Sequence, residues 1–182
     1  LSTDVVSKAV DGTPADSFSS LAVISGNGRY VFFQSSSGNL VADGNSHGLL
    51  LKDLQTGVVS PAVRRSDYSE LIMDGGSEAQ FSADGNYLAF VSWTTDPVTH
   101  YSTPMHLFLK NMQSGTVSRI SSSPTGVRAN GDSDYPDISA DGRHVAFVSY
   151  ASNLVSGDKN GFSDIFLKDT QTGITSLVST SS

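Results

Sequence analysis

One stretch of the sequence occurs three times and constrains the fold more than any other feature. Each copy contains a serine, an Asp-Gly or Asn-Gly pair and then an apolar run; the copies are Ile24–Ser35, Phe81–Ser92 and Ile138–Ser149. A second shared motif follows each copy at a nearly constant distance, in Leu51–Gly57, Leu109–Gly115 and Leu167–Gly173. Two anchors with the same step indicate a repeated structural unit, and a period of about 57 residues is typical of propellers or repeat arrays.

Each unit reads as four short antiparallel strands. The Asp-Gly or Asn-Gly pair is a two-residue hairpin signal, because glycine accepts the positive φ that such turns require. The strand after it is apolar at consecutive positions, as in Tyr87–Val91, and must be covered on both faces. A third strand follows a longer loop, and a Gln-Thr-Gly or Gln-Ser-Gly turn leads to a fourth. No segment has a sustained helical period, so we predict an all-β fold of propeller blades.

We expect residues 1–182 to form a single repeat domain, with units at roughly 17–63, 77–120 and 134–179. Residues 4–10 resemble the fourth strand of a unit, so the chain has one outer strand more than it has sets of inner strands. Propellers close with four to eight blades, and three blades cannot close alone. The surplus strand would complete a blade whose inner strands lie elsewhere. We infer either a homodimer that forms a six-bladed ring or a fragment of a longer propeller. The remaining alternative, an open three-blade stack, would leave two large apolar sheet faces exposed to water.

The repeat resembles the TolB-like propeller family. That family's unit reads Ser-Pro-Asp-Gly, a basic residue, an apolar run ending in Phe, and then Asp-Ile-Phe or Asp-Ile-Tyr; Ser139–Phe147 and Asp164–Asp169 match it well. Two departures are Ala83 and Ala140 in place of the proline, and a longer loop between the second and third strands. The resemblance implies a scaffold fold and a bacterial periplasmic or secreted location, and it implies little about chemistry.

Composition excludes several partners. The net charge is −7 and the pI about 4.8, which argues against nucleic-acid phosphates. No apolar run approaches the roughly 20 residues that span a bilayer, so we expect no membrane insertion. There is no cysteine for a disulfide or a thiolate zinc site. The sequence carries no signal peptide and reads as a mature form or an excised piece.

Long loops all leave the same rim of the predicted blades, and tight turns form the other rim. Function concentrates on long loops held by a rigid scaffold, so we place candidate ligand-binding residues there. Exposed aromatic rings beside carboxylates suit stacking on sugars or packing on a protein. The candidates are Trp93, Tyr101, Tyr135, Tyr150, Asp132 and Asp134. The alternative is that such aromatics seal the gaps between blades.

A candidate calcium loop lies in the third unit. Asp158, Asn160 and Asp164 alternate around a glycine, as oxygen ligands do in short Ca²⁺ loops. Phe162 stands where such a loop needs another oxygen ligand. The alternative is an Asx-turn in which Asp164 caps the third strand.

Catalytic motifs are missing: the sequence has no Gly-x-Ser-x-Gly, His-Glu-x-x-His, P-loop or Ser-x-x-Lys pattern. The repeated serines are architectural, because a nucleophile is needed once. His144 is expected to pack beside a hairpin turn, and His47, His100 and His106 lie near long loops, where a metal or acid/base role is open. We therefore predict a non-catalytic binding and assembly module for a protein or glycan. The alternatives are the propeller part of a carbohydrate- or peptide-processing enzyme and a calcium-stabilised structural repeat.

Overall fold

The computed structural model describes residues 3–41, 48–63, 73–76, 78–94 and 104–180. The strands form three antiparallel sheets, which we call blades 1, 2 and 3. Blade 1 contains β1 (Ser19–Ile24), β2 (Tyr30–Ser35), β3 (Gly48–Asp53) and β4 (Val59–Pro61). Blade 2 contains β5 (Met73–Gly75), β6 (Ala79–Phe81), β7 (Tyr87–Thr94), β8 (His106–Asn111) and β9 (Val117–Arg119). Blade 3 contains β10 (Ser133–Ile138), β11 (His144–Ser149), β12 (Asp164–Asp169) and β13 (Thr175–Leu177). The described residues contain no helix, and the all-β blade architecture is confirmed.

The strand order within each blade follows the chain. Blade 1 runs β1-β2-β3-β4 and blade 3 runs β10-β11-β12-β13. In blade 2 the first strand is split, because β5 and β6 both pair with β7, and β8 and β9 follow. The first strands of neighbouring blades contact each other, so the three blades pack in sequence order.

Two apolar clusters join the blades. Between blades 1 and 2 the Phe32 and Phe90 rings lie 5.8 Å apart, and Phe90 stacks on Phe108 at 5.7 Å. Between blades 2 and 3 the cluster includes Val91 and Phe147. These side chains are almost fully buried, and burying each one contributes about 1.5–3 kcal/mol. The consecutive apolar residues of the second and third strands are explained in blade 2, because blades 1 and 3 cover its two faces.

A buried lysine at the same place in blades 1 and 3 fixes the segment that enters the blade. Lys168 Nζ donates to the Ser122 carbonyl at 3.1 Å, and Lys52 Nζ donates to the Lys8 carbonyl at 2.6 Å. Desolvation lowers the pKa of both lysines. The carbonyls lie beside equivalent antiparallel bridges, Lys8 with Pro14 and Ser122 with Arg128.

Residues 3–10 form no strand within this chain apart from the bridge at Lys8. An outer strand forms against the third strand of its own blade, and each such strand in the described residues already has its outer partner. The completion of another blade by residues 4–10 therefore stays a prediction.

Candidate functional site

The tight-turn rim is structural in all three blades. Ser82 Oγ donates to Asp84 Oδ1 at 2.6 Å and accepts the Tyr87 amide at 3.0 Å, so one hydroxyl closes the hairpin. Ser139 makes the same pair of bonds in blade 3, and Ser25 makes them in blade 1 with Asn27 as the acceptor. The repeated serines are thus occupied by turn formation.

The long-loop rim carries a repeated kink in the first strand of each blade. Leu21 and Tyr135 have φ of 55° and 53°, in the left-handed region, and each lies within a bulge of its strand pair. Glu78 stands at the same repeat position, where β5 and β6 are interrupted. A bulge with positive φ at a non-glycine residue redirects the side chain, and such kinks occur often beside binding sites.

Glu78 joins the kinks of blades 2 and 3. Its Oε2 accepts the Tyr135 amide at 2.7 Å, which leaves the Tyr135 ring largely exposed. Burial raises the pKa of Glu78, and the neighbouring Asp134 carboxylate raises it further, whereas the hydrogen bond from Tyr135 opposes this. The pKa of Asp134 is raised by burial and by the charge of Asp132. Asp134 therefore lies between two other carboxylates, Glu78 and Asp132, and this negative charge favours a neutral or cationic ligand over an anion.

The structure places five of the six predicted ligand-binding residues, and Tyr101 lies outside the described residues. Tyr135, Asp132 and Asp134 lie at the long-loop end of β10, and the Tyr150 amide donates to the Asp132 carbonyl at 2.9 Å. The Tyr150 ring is largely exposed. These four residues form one patch in blade 3, which we call the Tyr135–Tyr150 patch.

Trp93 lies near the end of β7, in blade 2, where it pairs with Gly75 and is half-buried. Phe162, in the loop before β12, is largely exposed at the same rim. His47 and His100 lie outside the described residues.

Two of the three candidate calcium residues, Asn160 and Asp164, contact each other, and Asp164 also contacts the segment that follows β13. Asn160 Nδ2 donates to Asp164 Oδ2 at 2.8 Å, and the Phe162 amide donates to Asn160 Oδ1 at 2.9 Å. The other oxygen of Asp164 accepts the Ser179 hydroxyl at 2.6 Å. Asp158, which precedes Asn160 in the same loop, is buried. Asn160 thus makes an Asx-turn, and Asp164 holds the start of β12 through Asn160 and Ser179. Ca²⁺ binding stays a prediction.

His106 occupies the position in blade 2 that Asp164 occupies in blade 3. Each is the first residue of a third strand, and each faces a serine that follows the outer strand; His106 Nδ1 lies 3.4 Å from Ser121 Oγ. Burial, together with the charges of Arg119 and Arg128, lowers the pKa of His106 to about 4, against an opposing effect of Asp132. The ring is thus a neutral packing group, and this burial was not evident from its place beside a long loop.

His144 lies beside the hairpin turn of blade 3 as expected, with Nε2 3.9 Å from Asp169 Oδ2. Arg143 donates to the same carboxylate at 3.0 Å, and this bond holds the pKa of Asp169 well below its usual range. In the part of the chain that the structure describes, no three His, Asp or Glu side chains converge as a metal site, and no helix has the length and hydropathy to cross a bilayer.

Comparison with solved structures supports a propeller. The tricorn protease crystal structure matches 83% of this chain and 13% of its own length, at 14% identity and a TM-score of 0.54. The β-propeller domain of the Trilobed protease from Pyrococcus furiosus matches 88% of this chain and 41% of its own, at 12% identity and a TM-score of 0.51. A putative TolB from Agrobacterium tumefaciens matches 88% and 48%, at 19% identity and a TM-score of 0.49.

No family model matches the chain, and no curated protein matches it. The chain spans less than half of the length of each of these three structures. At such identities the two matches with TM-scores above 0.5 carry the β-propeller fold alone.

Proposed function

We propose that this chain is a non-catalytic binding module, a TolB-like propeller segment that presents its long-loop rim to a protein or glycan outside the cytoplasm. The observation that carries the proposal is the Tyr135–Tyr150 patch, where two largely exposed tyrosines lie at the same end of blade 3 as Asp132 and Asp134. The extracytoplasmic location rests on the resemblance of the repeat to the TolB-like family.

The chemistry of the patch fits such a partner. Exposed tyrosine rings offer an apolar face and a hydroxyl, which suits stacking on a sugar ring or insertion into a protein surface. Asp132 and Asp134 offer acceptors for sugar hydroxyls or for the cationic groups of a protein. The Tyr135 amide is already bound by Glu78, so the kink is held before a ligand arrives and little ordering is needed on binding.

The test is a glycan array, together with pull-down of periplasmic and secreted proteins, using the wild type and single variants. Tyr135→Ala and Tyr150→Ala should weaken binding at least about fivefold, because loss of an anchoring aromatic costs more than ~1 kcal/mol. Leu54→Ala is the matched control, since Leu54 is an exposed apolar residue on the tight-turn rim. The proposal would be contradicted if the wild type bound no glycan and no protein, or if Leu54→Ala weakened binding as much as the two tyrosine variants.

The enzymatic alternative is a propeller that serves a peptide- or carbohydrate-processing enzyme. Two of the matched structures come from proteases, but their identity to this chain supports the fold only. Turnover of peptidase or glycosidase substrates by the purified chain would replace the binding proposal with this one.

A further inference from the structure

The face of blade 3 that points away from blade 2 is apolar and open. In the second and third strands, alternate residues face the two neighbouring blades, and Val145 and Phe147 face blade 2. The opposite face consists of apolar residues that are partly or half exposed, namely Ala146, Val148, Ile165, Leu167 and Val178. We call this the open face of blade 3.

The other two blades provide an internal control for this face. Ile165 is 46% exposed, whereas Leu49 and Leu107, at the same position in blades 1 and 2, are 5% and 0% exposed. The backbone identifies the positions as equivalent, because each carbonyl accepts an amide from the residue that follows the outer strand. Those donors are Ala62, Ile120 and Val178, and the first two are buried while Val178 is half exposed. The next blade makes this difference, and blade 3 has no next blade in the described residues.

At the other end of the stack, the position of Ile24 lacks the cover that it has in the other two blades. Ile24, the last residue of β1, is 59% exposed, whereas Phe81 and Ile138 at the same position in blades 2 and 3 are each 8% exposed. The preceding blade covers Ile138, and the Ile138 amide donates to Gln80 Oε1 of that blade at 2.8 Å. One chain therefore carries both faces of a blade-to-blade interface. Within the described residues the open face of blade 3 has no partner, whereas on the other face Ile24 is open and Val31, Phe33 and Leu50 are already buried with Leu40 and Val41.

We infer that the open face of blade 3 binds the Ile24 side of blade 1 from a second copy of this chain, so that two copies close a six-bladed ring. The fit is the one already made twice within the chain, at the interfaces between blades 1 and 2 and between blades 2 and 3. Six blades fall within the four to eight that close a propeller. A two-fold axis creates two such interfaces at once, so each supports the other.

The surplus N-terminal segment must move in this arrangement. The bridge at Lys8 is equivalent to the bridge at Ser122, so residues 3–6 stand at the outer-strand position of a preceding blade. In the dimer, β13 of the partner copy takes that position. Residues 3–6 are exposed and belong to no sheet, so their displacement loses little packing. The bridge of Lys8 with Pro14, held by Lys52, stays in place as the link between blades.

The test is mass by light scattering and sedimentation equilibrium over a range of concentrations. The wild type should have twice the 19.1 kDa mass of one chain. Ile165→Glu and Ile24→Glu should each give a monomer, because either change places a charge in both interfaces of the ring. Since both side chains are half exposed in the single chain, the monomers should keep the far-UV spectrum of the wild type.

Ile174→Glu is the matched control. Ile174 is 54% exposed and directly precedes β13, but its equivalent Val58 is 49% exposed although blade 2 packs on blade 1. A neighbouring blade therefore does not cover this position, and Ile174→Glu should stay dimeric. A wild-type monomer at every concentration overturns the inference, as does a dimer that survives both Ile165→Glu and Ile24→Glu.

Discussion

Mild acid should destabilise the protein through His106. The ring is buried beside β9 and the segment after it, and its pKa is lowered from 6.5 to about 4 by burial first and then by Arg119 and Arg128. The folded state therefore resists protonation, whereas the unfolded chain takes up a proton near pH 6.5. The stability from this group is complete above that pH and is lost as the pH falls towards 4.

The size of the effect follows from the two pKa values. The difference between 6.5 and about 4 corresponds to ~3 kcal/mol of unfolding free energy. Between pH 7 and pH 5 the free energy of unfolding should fall by about 2 kcal/mol from this group alone.

Urea unfolding at pH 7, 6 and 5 measures this loss, with His106→Gln as the comparison. The variant keeps a polar side chain of similar reach and has no proton to gain, so the difference between the two proteins isolates His106 from the carboxylates. From pH 7 to pH 5 the unfolding free energy of the wild type should fall by about 2 kcal/mol more than that of the variant. Parallel pH profiles for the two proteins would refute a buried neutral ring.

Two further predictions concern single turns and loops. Gly142→Ala should destabilise the protein by more than Gly173→Ala. Both glycines have positive φ, but a Cβ on Gly142 would overlap the Tyr87 ring, whereas open space surrounds Gly173. Equal melting temperatures of the two variants would contradict the contact between blades 2 and 3 at the tight-turn rim. If the loop 158–164 binds calcium, added Ca²⁺ should raise the melting temperature of the wild type but not of Asp158→Asn, and identical melts with Ca²⁺ and with EDTA would assign the loop to its hydrogen-bonded turn alone.

The blades were predictable because local turn chemistry and the long-range repeat agree. Asp141-Gly142 and its two counterparts mark the first hairpin, and the apolar run after it requires cover on two faces. The equal spacing of Ser25, Ser82 and Ser139 then makes three weak local signals into one strong one. The same repetition predicted that the repeated serines are architectural, and their hydroxyls are indeed hydrogen-bonded within the hairpin turns.

The kink at Leu21, Glu78 and Tyr135 was not predictable from residue type. The three side chains are apolar, acidic and aromatic, so residue type does not mark the position. A bulge also cannot be recognised from alternation of polar and apolar residues when the strand before it is short. Only the bond from the Tyr135 amide to Glu78 shows why the position matters. A comparison of residues one repeat apart could have drawn attention to Glu78, but not to its role.

The burial of His106 was missed for a related reason. The matching residues in the other blades are Gly48 and Asp164, so the position looks variable and loop-like. Its partner carries the signal instead: Ser121 and Ser179 both follow an outer strand and both face the first residue of a third strand. The pair was recognisable only after the outer strands had been placed.

Residue-resolved hydrogen exchange tests the central claim most directly, namely that the chain forms three equivalent four-stranded blades packed in sequence order. The amides of the second strands (β2, β7 and β11) and of the third strands (β3, β8 and β12) should be the slowest to exchange. The pattern of protection should recur from one blade to the next with the period of the sequence repeat. Slow exchange confined to one blade, or a pattern without that period, would contradict the account.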